Sequence, residues 1–326
     1  MWPDFGRYLC AAAGGECCAL KTWGVMRELE FVKLDPTQNV TVLVKTQHPS
    51  AEYVAIAQSL MGYAHVHAEQ VGFVELSSHP EALARIQMAA GEFCGNACMS
   101  LAASIAHDSE LAEGMSTSVC IESSGTDDLI NCEVRRANRR YECNVSMPIP
   151  LAVTVSDNTI LGGGWGIVLY QEGIHIVAEC RPDDSDTRRF AAALAAAIAP
   201  VREFSLVGGM LYHPGTGSVH PLIHIPALGS MIWERGCCSG VASVGAYLAH
   251  KNNRSVAATM RLPGGPMRVA AEIDGLRLLE QLREQAARLA GFHTEQGVDL
   301  WLATEARARG LPLVARPYEA VGAMLG

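Results

Sequence analysis

The chain has 326 residues, of which 49% are hydrophobic and 18% charged, so it can bury a large core and is not a disordered polypeptide. Its formal net charge is −9 without any basic run, which argues against a nucleic-acid partner. No apolar stretch reaches the roughly 20 residues of a membrane-spanning helix. The eleven scattered cysteines do not form a secreted disulfide framework, which favours a cytoplasmic location.

Four segments are predicted along the chain. Residues 1–25 have neither a basic region nor a long apolar region, so we interpret them as a disordered extension rather than a signal peptide. Residues 26–150 and 151–275 are predicted to form two half-domains. Residues 276–326 are expected to contain a helix, a returning strand and a tail.

The first half-domain has the pattern of a sheet with one early helix. Apolar residues at helical spacing predict a helix over Ser50–Tyr63. Short runs of β-branched and apolar residues predict strands at Leu29–Leu34, Asn39–Val44, Ala68–Leu76, Arg85–Ala89, Ser118–Ser123 and Tyr141–Ser146.

A Gly-rich turn carrying Cys94 leads directly into an apolar helical segment, in the sequence GEFCGNACMSLAASIAH. The first backbone N–H groups of a helix have no partner within the helix, and its dipole adds positive charge at that end. Both effects stabilise a thiolate, so we predict a lowered pKa and a reactive Cys94. The alternative is that this cysteine is a small buried hydrophobe.

The second half-domain begins with the run Gly162-Gly163-Gly164-Trp165, which is interpreted as a bend rather than a dinucleotide-binding loop. An alanine-rich helix is predicted over Thr187–Ile198. Strands are predicted at Ile167–Leu169, His175–Val177, Ser205–Tyr212, His220–Ile225, Ser230–Glu234 and Met267–Ala271, and farther on a helix at Leu276–Ala290 and a strand at Val298–Ala303.

The cysteine turn recurs 143 residues later as CCSGVASVGAYLAH, starting at Cys237. Five of fourteen positions coincide, and an acidic residue precedes each cysteine, Glu92 in one case and Glu234 in the other. Such a period is too long for a solenoid. We therefore expect two related halves, each directing one cysteine-bearing helix N-terminus at a shared cleft.

Helix N-termini also bind anions, so the backbone N–H groups of Gly95, Asn96, Ser239 and Gly240 are candidates for binding a substrate carboxylate. A carboxylate is needed to accept hydrogen bonds from a protonated amine, and Glu234 is the candidate for that role. Cys98 and Cys238 are interpreted as packing residues.

The motif CGN followed by C-x-S-G resembles the cofactor-independent racemases and epimerases of the diaminopimelate epimerase fold. The likeness extends to the histidine racemases of opine-type metallophore biosynthesis, such as that of staphylopine. It is carried by LEFVKLDPTQNVTVLV, HVHAEQVGFVE, GEFCGNACMS, PLIHIPAL, IWERGCCSGVASVG and PGGPMRV. Arg235 and Cys238 depart from that branch, and Glu234-Arg235-Gly236 abuts Cys237 without the longer loop of the diaminopimelate epimerases.

The resemblance implies an α+β fold of two pseudo-symmetric halves, each a mixed β-sheet curled around a central helix, with the active site in the cleft between them. It implies an isomerase, an amino-acid racemase without PLP or another cofactor, in which Cys94 and Cys237 act as acid and base on opposite faces of the α-carbon. Histidine is the expected substrate, and Asn39, Glu69 and Gln70 are expected to line its pocket.

Other interpretations stay open at this point. The protein is alternatively a diaminopimelate or proline racemase/epimerase of the same fold, or a thiol-based redox or binding protein. Cys94 and Cys98 have a spacing seen in zinc sites, but the second ligand pair is missing, so no metal is expected. The partner is expected to be a small-molecule amino acid, with a homodimer as one option for the assembly.

Overall fold

The structure, a computed structural model, describes residues 28–200 and 204–272. The predicted extension at residues 1–25, the predicted helix Leu276–Ala290 and the predicted strand Val298–Ala303 lie outside these residues. The boundaries proposed for the four segments remain predictions.

The first sheet has seven strands, in the spatial order of the chain. Its strands and helices are β1 (Phe31–Leu34), β2 (Thr41–Val44), α1 (Tyr53–Met61), β3 (Gln70–Glu75), β4 (Ala84–Met88), α2 (Gly95–Asp108), β5 (Ser116–Ser123), β6 (Ile130–Ala137) and β7 (Arg140–Val145).

The second sheet has eight strands, with β13 beside β12 and the others in the order β15-β14-β12-β11-β10-β9-β8. Its elements are β8 (Ala152–Ile160), β9 (Gly163–Leu169), β10 (Gly173–Glu179), α3 (Ser185–Ile198), β11 (Leu206–His213), β12 (Ser218–Ile225), β13 (Ser230–Trp233), α4 (Cys238–Asn252), β14 (Val256–Leu262) and β15 (Gly265–Ala271).

The two sheets repeat one pattern of connections. Parallel strands need a crossover between them, and helices supply it here. In the first sheet β2 and β3 are parallel across α1, and β4 and β5 are parallel across α2. In the second sheet β10 and β11 are parallel across α3, and β12 and β14 are parallel across α4. The predicted pseudo-symmetry is confirmed, and each cysteine turn opens the second crossover helix of its sheet.

Alternation along the strands places one helix on each face of the first sheet. In β2, Leu43 points into the core that contains α2, whereas Val42 and Val44 pack with α1. The side chains of α2 are mostly small and nearly all of them are buried, so the sheet can curl around this helix. The second sheet packs against α4 and α3 in the same way. In residues 28–200 and 204–272, no helix is long and apolar enough to cross a membrane.

The glycine run at the start of the second half differs from its prediction. Leu161 and Gly162 make a tight turn with positive φ, but Gly163 already begins β9. A Cβ atom on Gly163 would overlap the carbonyl of Glu179, and one on Gly166 would overlap the carbonyl of Thr154. These two glycines therefore permit close approach of backbones within the sheet.

Three further strands, β6, β8 and β14, were not predicted. In β6 the exposed residues Asn131, Glu133 and Arg135 alternate with buried apolar residues. These polar residues obscure the strand pattern in the sequence. Tertiary pairing with strands that were predicted completes the ladder in each case.

Candidate active site

Cys94 and Cys237 occupy the same position in the two halves, as the N-cap residues of α2 and α4. Their backbones are extended and nearly identical, with φ/ψ of −137°/105° and −141°/107°. Each sulfur accepts a hydrogen bond at 3.3 Å from the backbone N–H three residues later, that of Ala97 or Gly240. The sulfurs thus replace the side-chain oxygen that usually caps a helix. Both are free thiols.

Both cysteines line one cavity where the two halves meet. Its polar wall includes Gln70, Glu92 and Glu234, and its backbone wall includes the beginnings of both helices. The complete lining is Gln70, Glu92, Phe93, Cys94, Gly95, Asn96, Leu206, Ile223, Ile225, Glu234, Cys237, Cys238 and Ser239. Residues from both sheets are therefore needed to form the cavity.

Burial raises the pKa of both thiols well above the usual value, and the negative charge of Glu234 raises it further. The N–H groups of Ala97 and Gly240 oppose this rise. The predicted lowering of the Cys94 pKa is wrong for this structure. Loss of solvation at a buried thiolate outweighs the favourable helix N-terminus.

Gln70 connects the two halves inside the cavity. Its Oε1 accepts a hydrogen bond from Cys94 Sγ, and its Nε2 donates to Glu234 Oε1 at 2.6 Å. Both ends of the amide are therefore committed to protein groups. Gln70 lines the cavity, with its amide bound to Cys94 and Glu234.

Glu234 directly follows β13 and is almost completely buried. Burial raises its pKa to about 7, against the opposing effect of hydrogen bonding by Cys237 and Gln70. Its Oε2 has no hydrogen-bond partner among the described residues. A buried acceptor without a partner is costly unless a ligand supplies a donor.

Two asparagine side chains of the first half converge on the carbonyl that precedes Cys237. Asn39 Nδ2 and Asn96 Nδ2 donate to the Gly236 oxygen at 2.8 and 2.9 Å. Cys238, predicted to be only a packing residue, donates from its sulfur to Asn96 Oδ1 at 3.0 Å. These side chains hold the second cysteine loop against the first half.

Three of the predicted site residues, Asn39, Glu69 and Gly240, are not among the residues that line the cavity. The N–H of Gly240 donates to Cys237, so it is not available for the predicted carboxylate contact. Glu69 is half-buried, its Oε2 has no partner in the described part of the chain, and burial raises its pKa.

Sequence patterns did not identify the apolar wall of Phe93, Leu206, Ile223 and Ile225, because single apolar residues in strands and loops carry no motif. Glu92 also lines the cavity, and its Oε2 accepts the N–H of Ala90 at 3.0 Å. Across the described ranges, no group of three or more His, Cys, Asp or Glu side chains is placed to hold a metal ion.

Comparison with known proteins decides the family. Residues 28–283 match the family described as "Histidine racemase CntK N-terminal domain". The chain is 31% identical to a histidine racemase of Staphylococcus aureus over 251 residues, covering 75% of this chain and 89% of that protein. The chain belongs to the histidine racemase family. It is 25% identical to a histidine racemase of Fusobacterium nucleatum, covering 77% and 92% of the two proteins.

Solved structures agree on the fold. A hydroxyproline epimerase from Agrobacterium vitis superposes with a TM-score of 0.55 at 10% identity, over 76% of this chain and 86% of that one. A predicted epimerase from Pseudomonas aeruginosa gives 0.51 at 11% identity, over 75% and 92%. This member of the histidine racemase family is therefore an isomerase, an amino-acid racemase with the two-half α+β fold.

Proposed function

We propose that the racemase interconverts L- and D-histidine, with Cys94 and Cys237 as the two acid–base groups. The observation that carries this proposal is that both cysteines cap equivalent helices and line the same cavity. Inversion of an α-carbon requires proton removal on one face and proton delivery on the other. A thiolate and a thiol at opposite walls supply both functions, and their roles exchange with the enantiomer.

The hydrogen-bond partners of the two sulfurs suit this division of roles. Cys94 donates to Gln70 Oε1 and therefore holds a proton. Cys237 accepts the N–H of Gly240 and lies 3.5 Å from the Ser239 hydroxyl, and both groups stabilise a thiolate once a substrate ammonium replaces the hydrogen bond between Cys237 and Glu234. In the opposite direction Cys237 carries the proton and Cys94, capped by Ala97 N–H, becomes the base.

The substrate itself counters the high thiol pKa values. The charge of Glu234 raises the pKa of both thiols, and its Oε2 is buried without a partner. A substrate ammonium bound there neutralises that charge and supplies the missing donor. Binding of a protonated amino acid thus favours formation of one thiolate.

The substrate carboxylate fits the helix N-termini. Gly95, Asn96 and Ser239 lie in the first turns of α2 and α4, where backbone N–H groups have no partner within the helix. All three residues line the cavity. With Gly240 engaged by Cys237, these three remain the donors that we propose for the carboxylate.

The polar groups around the site favour a substrate rich in N–H donors. Asn39 Oδ1, Glu69 Oε2 and Glu234 Oε2 are buried acceptors without partners among the described residues. Arg235, which would suit an acidic side chain, instead donates to Gln38 Oε1 at 2.8 Å and to the Pro263 carbonyl at 3.1 Å. We assign the ammonium to Glu234, which lines the cavity, and propose that the imidazole extends past the cavity lining and donates an N–H to Glu69.

The test is deuterium incorporation at the α-carbon in heavy water, followed by kcat/KM for histidine, diaminopimelate, proline, glutamate and aspartate. We expect histidine to exchange and racemise fastest, and leucine and phenylalanine to be rejected by about 10⁴-fold, because they would leave buried acceptors unpaired. A higher kcat/KM for any other amino acid would refute the histidine assignment. Absence of exchange for all amino acids, with reductant present, would instead favour the redox or binding role.

We further propose that the D-histidine enters an opine-type metallophore, on the basis of the sequence resemblance to that branch. The test is to delete the gene from the source organism and analyse its secreted metal chelators. Loss of a D-histidine-containing chelator that returns with added D-histidine is the expected result, and an unchanged chelator profile would contradict it.

A further inference from the structure

A buried polar network lies beneath the first turn of α4. The Ser243 hydroxyl donates to the carbonyl of Ser239 at 2.8 Å. It also lies 2.8 Å from the Tyr170 hydroxyl and 2.6 Å from His175 Nδ1. These three side chains are buried, and none of them belongs to the cavity lining.

The hydrogen-bonding capacity of the Ser243 hydroxyl determines which groups are donors in this network. A hydroxyl has one proton to donate and two lone pairs to accept with. With Ser243 donating to the carbonyl of Ser239, Tyr170 O–H and His175 Nδ1–H are the donors to Ser243, and the His175 N–H also faces that carbonyl. Burial lowers the pKa of His175 to about 4, so the imidazole is neutral and has a single N–H.

Packing holds the donors in place. A Cβ atom on Gly208 would overlap the His175 ring, so the neighbouring strand closes directly over it. The rings of Tyr170 and His175 meet edge to face with centroids 5.4 Å apart. The network therefore ties the beginning of α4 to the β9–β10 region of the sheet. Ser239, in that first turn, places its own hydroxyl 3.5 Å from Cys237 Sγ.

The other cysteine helix has no such support. Ser100 in α2 occupies the position that corresponds to Ser243 in the sequence repeat, six residues after the cysteine. Its hydroxyl is also buried, but it has no hydrogen-bond partner within the described ranges. The two helices are alike in backbone and different in what supports their first turns.

We propose that Ser243, Tyr170 and His175 are positioning residues that hold the first turn of α4, and through Ser239 the Cys237 thiol, in one arrangement. They act on Cys237 and leave Cys94 unaffected. This inference rests on the proposed role of Cys237 in racemisation.

The experiment compares Ser243→Ala with Ser100→Ala, the same change at the matched position of the other helix. Iodoacetamide modification of Cys237 and Cys94 is followed across pH in one sample by peptide mass spectrometry, and kcat and KM are measured with histidine. Ser243→Ala should move the Cys237 profile to higher pH, because the Ser239 hydroxyl lowers the pKa of that thiol. It should reduce kcat by about tenfold or more with little change in KM. Ser100→Ala should leave both thiols and kcat unchanged.

Tyr170→Phe removes one hydroxyl and keeps the ring, so it tests the network even if Ser243→Ala does not fold. It should shift the Cys237 profile in the same direction by a smaller amount. Equal shifts at Cys94 and Cys237, or profiles indistinguishable from those of Ser100→Ala, would overturn the positioning role. If the unmodified enzyme does not racemise histidine, the proposed function fails, while the alkylation profiles still decide the role of the network.

Discussion

At the residue scale, the two thiols have the same backbone geometry and different hydrogen-bond partners. Cys94 donates to Gln70, whereas Cys237 lies beside Ser239 and Glu234. A symmetric reaction is thus assigned to groups with unequal surroundings. Because the equilibrium between enantiomers is unity, this inequality affects which step is slow in each direction rather than the final ratio.

Replacing either thiol tests the proposed two-thiol mechanism. Cys94→Ser and Cys237→Ser should each lower racemisation by at least about 10²-fold, the usual contribution of one general acid or base. Each variant should still exchange the α-proton of one enantiomer in heavy water, since one thiol remains on one face. Cys120→Ser, at a half-buried thiol outside the cavity, is the matched control and should retain activity. Racemisation near the wild-type rate in either active-site variant would refute the two-thiol mechanism.

Glu69 provides a test of substrate recognition. Glu69→Gln keeps the side-chain size and removes the carboxylate that we assign to the imidazole N–H. A lost hydrogen bond to a charged group should lower kcat/KM for histidine by about 10- to 100-fold, with an unchanged melting temperature. Glu133→Gln, on the exposed face of β6, is the control and should have no effect. Equal activity of the two variants would remove Glu69 from the site.

At the element scale, local patterns predicted the elements that carry Cys94 and Cys237. Both cysteine helices, the strands before them and α3 follow from apolar periodicity and cap position, which are properties of neighbouring residues. The unpredicted strands β6, β8 and β14 have mixed polar and apolar residues, and their ladders depend on partner strands. Long-range pairing decides such elements.

The turn between β9 and β10 contributes a pH-dependent contact to the first half. Glu172 lies in this turn, and the backbone N–H of Phe93, next to Cys94, lowers its pKa. Burial raises the pKa of Glu172 to about 7, and that of Glu92 also to about 7, partly through the charge of Glu172. The folded protein therefore keeps protons that the unfolded chain releases above its ordinary carboxyl pKa. The contribution of these two carboxyl groups to the free energy of unfolding is fully present below that ordinary pKa. It is lost as the pH rises through about 7.

Glu172→Gln should remove one part of this dependence. We expect its melting temperature to match the wild type at pH 5 and to exceed it at pH 8, since one raised carboxyl pKa changes stability by up to about 1.4 kcal/mol per pH unit. Calorimetry from pH 5 to pH 8 measures the difference, with Glu133→Gln as the exposed control. A constant offset at every pH would show that Glu172 is not protonated in the folded state.

At the scale of the whole molecule, the halves meet through backbone contacts that tolerate no added atom. A Cβ atom on Gly236 would overlap the hydroxyl and the carbonyl of Thr37 in the first half. The carbonyl oxygen of Gly236 itself accepts hydrogen bonds from the side-chain amides of Asn39 and Asn96. The contacts that join the two halves therefore also position the loop before Cys237.

Gly236→Ala should prevent this closure while each half keeps its own core. We expect kcat/KM to fall by about 10²-fold or more, as for a displacement of catalytic groups by about 1 Å. Gly209→Ala is the control, because a Cβ there meets only ordinary contacts with Leu222 and Ala191. Circular dichroism should be unchanged, and small-angle scattering should show a larger radius for Gly236→Ala. Wild-type activity in this variant would mean that the Thr37 contact does not control the site.

The amino-acid sequence alone determined the duplicated cysteine helices, because a cap residue, a glycine-rich turn and helical periodicity are all encoded within about fifteen neighbouring residues. Tertiary structure alone decided the state of the thiols and their partners. The pKa of Cys94 depends on burial and on Glu234, and Asn39 reaches its acceptor across 197 residues of sequence. Desolvation and long-range hydrogen bonds exist only once the two halves have met, so no local pattern reports their direction.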